Sequence, residues 1–406
     1  MFIPPGNAPA AFTLLVKPAG ALCNLACEYC FYLDKEQLYP GSPFRMPDEV
    51  LQAYIRQLLA SQQVPEVNVA WQGGEPMLMG LGFFEHSVDL VKKYKQPFQH
   101  VSYTLQTNGT RLDDEWCSFF KKHDFLIGLS VDGPAGMHDA YRVDKGGQGT
   151  YDQVKRGWDL LQKHGVETNI LCAVHAANAK HPLEVYSFFR DDLQVRFIQF
   201  IPIVERLAAS ARDPAGKRSR HSQKSSPVSP RSVSPGQFGD FLVAVFDEWV
   251  HHDVGTVFVQ VFDSALASWC NLPANVCIFQ ETCGLSLVLE HNGDLYSCDH
   301  FVDPAHRLGN ILENPMFSMV ASSAQQQFGL DKRHRLPACC RECDVYFACR
   351  GECPRNCFMR AHGGEPGLNY LCEGYKLFFH HIDRPMRLMA RLLQQGQAPA
   401  EIMRMV

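Results

Sequence analysis

Several features that would place a chain at once are missing from these 406 residues. No apolar run approaches the roughly 20 residues that a membrane-spanning helix needs, so no membrane anchor is expected. The opening "MFIPPGNAPAAF" has no charged region followed by an apolar one. No secretory signal is therefore expected, and the reading is cytoplasmic. Neither sign of charge dominates: the net charge is −5, which gives no reason to expect nucleic-acid binding. With 46% apolar and 20% charged residues, the composition is that of an ordinary globular chain with room for two domains. Against these absences stand 16 cysteines. In a reducing compartment they do not form a disulfide framework, and metal or cluster ligation becomes the leading reading. Cys117 and Cys172, alone in helix-like and strand-like stretches, read as small buried hydrophobes.

The first 205 residues alternate strand-like and helix-like segments, from "AAFTLLVKPAG" through "EVNVAWQGG", "HVSYTLQTNG", "FLIGLSVDG" and "ETNILCAVH" to "VRFIQFIPIVE". Alternation of this kind predicts a parallel sheet with crossover helices, and about six units predict a complete or partial barrel. Residues 207–236 are rich in Ser, Pro, Lys and Arg and poor in apolar residues, the composition of an unordered basic insertion or linker. A helix is expected from "QFGDFLVAVFDEWVHHD", a hairpin about the Asn-Gly of "SLVLEHNGDLYSCD", and a terminal helix broken or kinked at Pro385. The expected organisation is a barrel over 1–206, the insertion at 207–236, a helical connector at 237–270, a cysteine-rich domain at 271–380 and a helical tail at 381–406.

Within "CNLACEYC" lie Cys23, Cys27 and Cys30, with Tyr29 before the last. No fourth Cys or His is near, as a closed tetrahedral zinc site would require. Three thiolates on a four-iron cluster leave one iron open to a small molecule. A second crowd of thiols comprises Cys277, Cys283 and Cys298, then Cys339, Cys340, Cys343, Cys349, Cys353 and Cys357, and finally Cys372. Eight ligands would fill two cubane clusters, and two structural zinc sites would use the same number.

The spacing of "CNLACEYC" resembles the signature of the radical S-adenosylmethionine (SAM) enzymes. "WQGGEP" is similar to the motif that binds the methionine amine in that superfamily, through Gly73, Gly74 and Glu75. The resemblance implies that Ser130 of "LSVDG" and Arg142 of "HDAYR" meet the methionine carboxylate and that Asn108 of "QTNG" lies beside the cofactor. Unaided, the glycine pair reads as a turn, Asn108 as part of a type I′ turn and Arg142 as a surface ion pair. The later cysteines resemble the SPASM extension, which implies one auxiliary [4Fe-4S] cluster on Cys277, Cys283, Cys298 and Cys353 and another on Cys340, Cys343, Cys349 and Cys372. Cys339, Cys357 and Cys270 fall outside those sets, and Cys339 or Cys357 is open to exchange with an assigned ligand.

Together with "LEHNGDLYSCDHFVDP", "LGNI", "CRGECP", "GLNYLC" and "QFIPIVE", these phrases resemble the anaerobic sulfatase-maturating enzymes over nearly the whole chain outside 207–236. The expectations that follow are a partial (β/α)6 TIM-like barrel with a SPASM domain, three [4Fe-4S] clusters, and bound SAM. The implied reaction is oxidation of a Cys or Ser of a sulfatase, in a Cys/Ser-x-Pro/Ala-x-Arg segment, to Cα-formylglycine. A hydrogen atom would leave Cβ, a base would take the thiol or hydroxyl proton, and an electron would pass to an auxiliary cluster. Flavodoxin or ferredoxin would supply electrons; neither nucleic acid nor membrane is an expected partner. Asp299 of "SCDHF" matches the family's proposed base, and burial beside a cluster ligand would raise its pKa. His300 is a weaker candidate, and Asp299 unaided reads as a turn or cap. Tyr32 and Gln72 match positions near cofactor and peptide. Two rivals stand beside this reading: a SPASM enzyme that makes thioether or carbon–carbon crosslinks in peptides, and a zinc-stabilised binding protein without catalysis.

Overall fold

The computed structural model describes residues 9–207 and 226–405. Six parallel strands fall where alternation predicted them: β1 Thr13–Lys17, β2 Glu66–Trp71, β3 His100–Thr107, β4 Phe125–Ser130, β5 Thr168–Val174 and β6 Phe197–Pro202. A two-residue strand, β7 Phe258–Val259, extends the β6 edge. Crossover helices include Asp48–Ser61, Leu81–Tyr94, Asp114–Lys122 and Tyr151–His164. One face of each strand packs on them, as with Leu14 and Val16 of β1 and Val67, Val69 and Trp71 of β2. Trp71 meets Tyr54, Phe83 and Phe84 edge-on in that layer. The opposite face carries polar side chains, including Lys17, Asn68, Thr104, Gln106 and Ser130, and lines the concave side of an incomplete barrel.

The predicted hairpin is present as β8 Ser286–Glu290 and β9 Asp294–Tyr296, with β10 Arg307–Asn310 beside it. Its placement goes beyond the sequence reading. β8 pairs in parallel with β1 over the full length of both, so the cysteine-rich half contributes three strands to one sheet of order β10-β9-β8-β1-β2-β3-β4-β5-β6-β7.

Of the segment expected to be unordered, 208–225 lie outside the described residues. Residues 226–236 differ from the expectation: Val228 and Val233 are buried, and Arg231 and Ser229 bind the Glu205 carboxylate. Two well-placed valines and an ion pair outweigh the local composition. Helix Pro235–His252 starts inside that segment, on a capping box formed by Ser234 and Gln237. The last helix, Cys372–Gln394, passes through both the boundary expected at 380 and Pro385 without a break in assignment. These two helices meet at Gly239 and Gly374, where a Cβ on either would fall within 3.0 Å of the other segment's backbone. No helix among the described residues is long and apolar enough to cross a membrane.

Candidate active site

The C-terminal ends of β1–β5 and β8 converge on one region, where barrel active sites lie. The cysteine loop is held there from two sides. Ala26 and Glu28 donate backbone N–H groups to Val143 and Tyr141, on the segment after β4. Gly20 and Leu22 accept from Gly74 and Glu75 at 2.9 Å each. A Cβ on Gly74 would lie 2.1 Å from the Leu22 carbonyl oxygen, so only glycine lets the two loops touch.

Glu75 is fully buried and accepts from Met77 N, Asn108 N and the Thr107 hydroxyl, all at 2.9–3.0 Å. Burial pushes its carboxyl up to about 7 in spite of those donors. It therefore ties the glycine turn to the end of β3. Asn108 is not in a type I′ turn, because Gly109 but not Asn108 has a positive φ. Its amide reaches Asn24 Oδ1 at 3.0 Å and the Cys23 thiol at 3.7 Å.

Arg142 is not a surface residue. Nε and Nη2 grip the fully buried Asp132 at 2.8 and 3.2 Å, and the Tyr29 hydroxyl donates to the same carboxylate. Burial would raise the Asp132 carboxyl, but Arg142, with His175 and His138 behind it, holds it well below the usual range. Ser130 accepts from Gln106 at 3.0 Å, and its own O–H has no acceptor among the described residues.

Asp299 stands on the same face, 2.6 Å from Lys17 Nζ. Here the expectation is reversed. Burial pushes its carboxyl up, as anticipated, but Lys17, His300 and Arg355 outweigh burial and hold it below the ordinary value. Asp299 is thus an ionised acceptor at neutral pH. Gln72 accepts from Lys17 at 3.2 Å, the Tyr32 ring lies 4.3 Å from the ammonium, and the Tyr32 hydroxyl donates to Glu290. His300 points away from this network toward the Cys353 thiol, 3.3 Å from Nδ1.

The crowded thiols share a common electrostatic pattern. Burial pushes Cys23 up to about 12 and Cys27 to about 11, with Cys30 adding to both and Arg142 relieving Cys27. Cys298, pushed to about 12, feels Cys277 and Cys283, and Cys353 feels Cys298 and Cys277. Cys349 feels Cys372 and Cys340, and Cys372 feels Cys343. The thiols of each group feel one another, and the unassigned cysteines join them: Cys340 feels Cys339 and Cys357, Cys372 feels Cys339, and Cys357 feels Cys283. Among the described residues no three His, Cys, Asp or Glu crowd onto a single ion. A cubane, which places each thiolate on a different iron, accepts that wider spacing, and its cationic irons would deprotonate thiols that burial keeps neutral. The Cys357 thiol donates to the Gly351 and Cys353 carbonyls. Exposed Cys339 adjoins Cys340. Cys117 and Cys172 are fully buried, as expected.

Sequence reading missed Lys17, Asp132, Glu290 and Arg355. Lys17 and Glu290 each end an apolar strand, "TLLVK" and "SLVLE", and a charge in that position was the available signal. Arg355 lies 4.4 Å from the Phe31 ring and among Cys30, Cys298, Cys353 and Asp299.

Residues 19–189 match the family model "Radical SAM superfamily", and residues 277–344 match "Iron-sulfur cluster-binding domain", SPASM. A serine-type anaerobic sulfatase-maturating enzyme of Bacteroides thetaiotaomicron is 46% identical over 96% of this chain and 94% of its own. A cysteine-type enzyme of Clostridium perfringens is 32% identical over 91% and 95%. The solved structure "Native anSMEcpe with bound AdoMet and Cp18Cys peptide" superposes with a TM-score of 0.81 at 32% identity, covering 94% of this chain and 99% of that one.

Proposed function

The chain belongs to the anaerobic sulfatase-maturating enzymes of the radical SAM superfamily, and from that membership we propose that it oxidises a Cys or Ser of a sulfatase polypeptide to Cα-formylglycine. One observation carries the reading at the level of residues: an ionised carboxylate, Asp299, stands at the mouth of the barrel beside the three-thiol loop, with Lys17 and Asp299 both close enough to act on the Cys30 thiol.

Cys23, Cys27 and Cys30 would hold a [4Fe-4S] cluster with an open iron for SAM. Cys277, Cys283, Cys298 and Cys353 would hold a second cluster, and Cys340, Cys343, Cys349 and Cys372 a third. The SPASM match ends at 344, so Cys349, Cys353 and Cys372 rest on spacing and on their neighbours. Gly73 and Gly74 would face the methionine amine, with Glu75 bracing the turn from behind. The Ser130 hydroxyl and the unspent Nη1 of Arg142 are the groups left to meet the methionine carboxylate. Bound and reduced, this cofactor set supplies a 5′-deoxyadenosyl radical able to take a hydrogen atom from Cβ of the target.

Loss of that hydrogen acidifies the neighbouring thiol or hydroxyl. Asp299 would take the proton, and the remaining electron would pass to an auxiliary cluster held by the C-terminal cysteines. For serine the product is the aldehyde itself. For cysteine it is a thioaldehyde, which water converts to aldehyde and hydrogen sulfide. Tyr32 and Gln72 line the same wall and keep Lys17 in place. A flavodoxin or ferredoxin would deliver the electrons that start each turnover.

The test is mass spectrometry of peptides containing Cys-x-Pro-x-Arg and Ser-x-Pro-x-Arg, incubated with anaerobically reconstituted protein, SAM and reductant. An aldehyde on either target supports the reading, and the pair defines the target range. 5′-Deoxyadenosine with both peptides unchanged would favour a crosslinking enzyme. Zinc without iron would favour the binding protein.

A further inference from the structure

We propose that Lys17 is a positioning residue for the Asp299 carboxylate, and that the pairing of β8 with β1 delivers that carboxylate to the site. This deepens the maturase reading and rests on it.

The register of the two strands places Lys17 opposite Glu290. Each is the last residue of its strand, and both are almost wholly buried, Lys17 at 1% exposure. A buried ammonium is costly unless its charge and donors are matched. Lys17 has three partners, each from a different segment: Asp299 Oδ1 at 2.6 Å, Gln72 Oε1 at 3.2 Å, and the Tyr32 ring at 4.3 Å. Asp299 follows the hairpin, Gln72 belongs to the glycine turn, and Tyr32 follows the cysteine loop. The ammonium therefore joins all three, by an ion pair to Asp299, a hydrogen bond to Gln72 and a cation–π contact with Tyr32.

Tyr32 is held in turn. Its hydroxyl donates to Glu290, Glu290 Oε2 lies 3.3 Å from His291 Nδ1, and His291 Nε2 lies 2.6 Å from Ser42 Oγ. An ion pair that only stabilised the fold would not need Asp299, the proposed proton acceptor, as its anion. Nor would it need to stand where the two halves of the chain meet above the barrel. Lys17 can set both the direction of the Asp299 carboxylate and its distance from the target Cβ.

The experiment uses the full chain, reconstituted anaerobically, as wild type, K17M and K17R. K17Q replaces K17M should the latter fail to load iron. Four quantities are measured on the peptide that the wild type converts: kcat, KM, 5′-deoxyadenosine formed per aldehyde, and iron content. A carboxylate displaced by 1 Å should cost K17M about 100-fold in kcat, with KM within about threefold. Iron content should hold, and 5′-deoxyadenosine per aldehyde should rise, because hydrogen abstraction continues without productive proton loss. K17R should regain at least about a tenth of the wild-type kcat. A neutral variant with wild-type kcat and product ratio overturns the proposal. So does a fall of iron, 5′-deoxyadenosine and aldehyde in step in both neutral variants, which marks a structural prop. A wild type that makes no aldehyde from either peptide overturns the maturase reading and this proposal with it, whereas an active wild type with an unimpaired neutral variant overturns this proposal alone.

Discussion

Replacing Gly74 by alanine puts a carbon 2.1 Å from the Leu22 carbonyl oxygen, 2.5 Å from its carbon and 2.9 Å from the Ala21 carbonyl carbon. Ordinary contact begins at 3.4 Å, so one loop must retreat by about 1 Å. Neither is free to do so. The turn is bound to the cysteine loop through Gly74 N and Glu75 N, and Glu75 is bound to β3 through Thr107 and Asn108. A 1 Å retreat breaks two backbone hydrogen bonds, about 1 kcal/mol each, and adds overpacking of about 1–3 kcal/mol. Gly74→Ala should therefore lose about 3–5 kcal/mol of stability and weaken SAM binding severalfold or more. Gly82→Ala is the control. Nothing lies within 4 Å of its added carbon, and it sits in helix Leu81–Tyr94, so the change should be neutral or stabilising by up to about 1 kcal/mol. Anaerobic guanidinium titration and equilibrium SAM binding read both quantities. Gly74→Ala and Gly82→Ala with the same midpoint and the same affinity would refute the claim that backbone contact between the two loops shapes the cofactor site.

Three further outcomes are expected. Asp299→Asn removes the acceptor and leaves Lys17 buried without its anion; aldehyde formation should fall by about 10²–10⁴-fold while 5′-deoxyadenosine persists, read by mass spectrometry of both products. Cys353→Ala should lower iron by about four per chain, whereas Cys357→Ala, whose thiol donates to carbonyls, should leave it unchanged, as iron analysis will show. The Glu75 carboxyl, pushed up to about 7 from an unfolded value near 4.5, contributes stability that is full below the lower value and lost as pH rises through the upper one, about 3 kcal/mol in all; Glu75→Gln should flatten that part of the stability–pH curve in the SAM-free protein.

Much of this site was legible because its chemistry needs short, dense motifs. The cysteine loop, the glycine turn and "SCDHF" announce themselves by residue type and spacing, and the strand–helix alternation fixes which ends they occupy. What escaped was long-range pairing. Nothing local in "TLLVK" says that its lysine will meet an aspartate from the other half of the chain, and that partner turns the Asp299 shift from upward to downward. Asp132 escaped for a similar reason: Arg142 was named, but its buried anion was not, so the surface pair that Arg142 suggests unaided is a core one. Residues 226–236 read as linker because composition averages over Ser and Pro, while Val228 and Val233 supply enough burial to order them.

The position of β1 also governs how the chain must be made. Leu15 pairs with Ala70 on one side and with Val288 on the other. The first partner emerges from the ribosome soon after β1, but the second arrives more than two hundred residues later, on the order of tens of seconds at ordinary elongation rates. For that interval an interior strand of the finished sheet is an open edge, a template for pairing with any other extended chain. Translation pauses between β2 and β8 should therefore depress soluble yield more than equal pauses before β2. Any fragment that stops short of Ser286 keeps that edge exposed permanently.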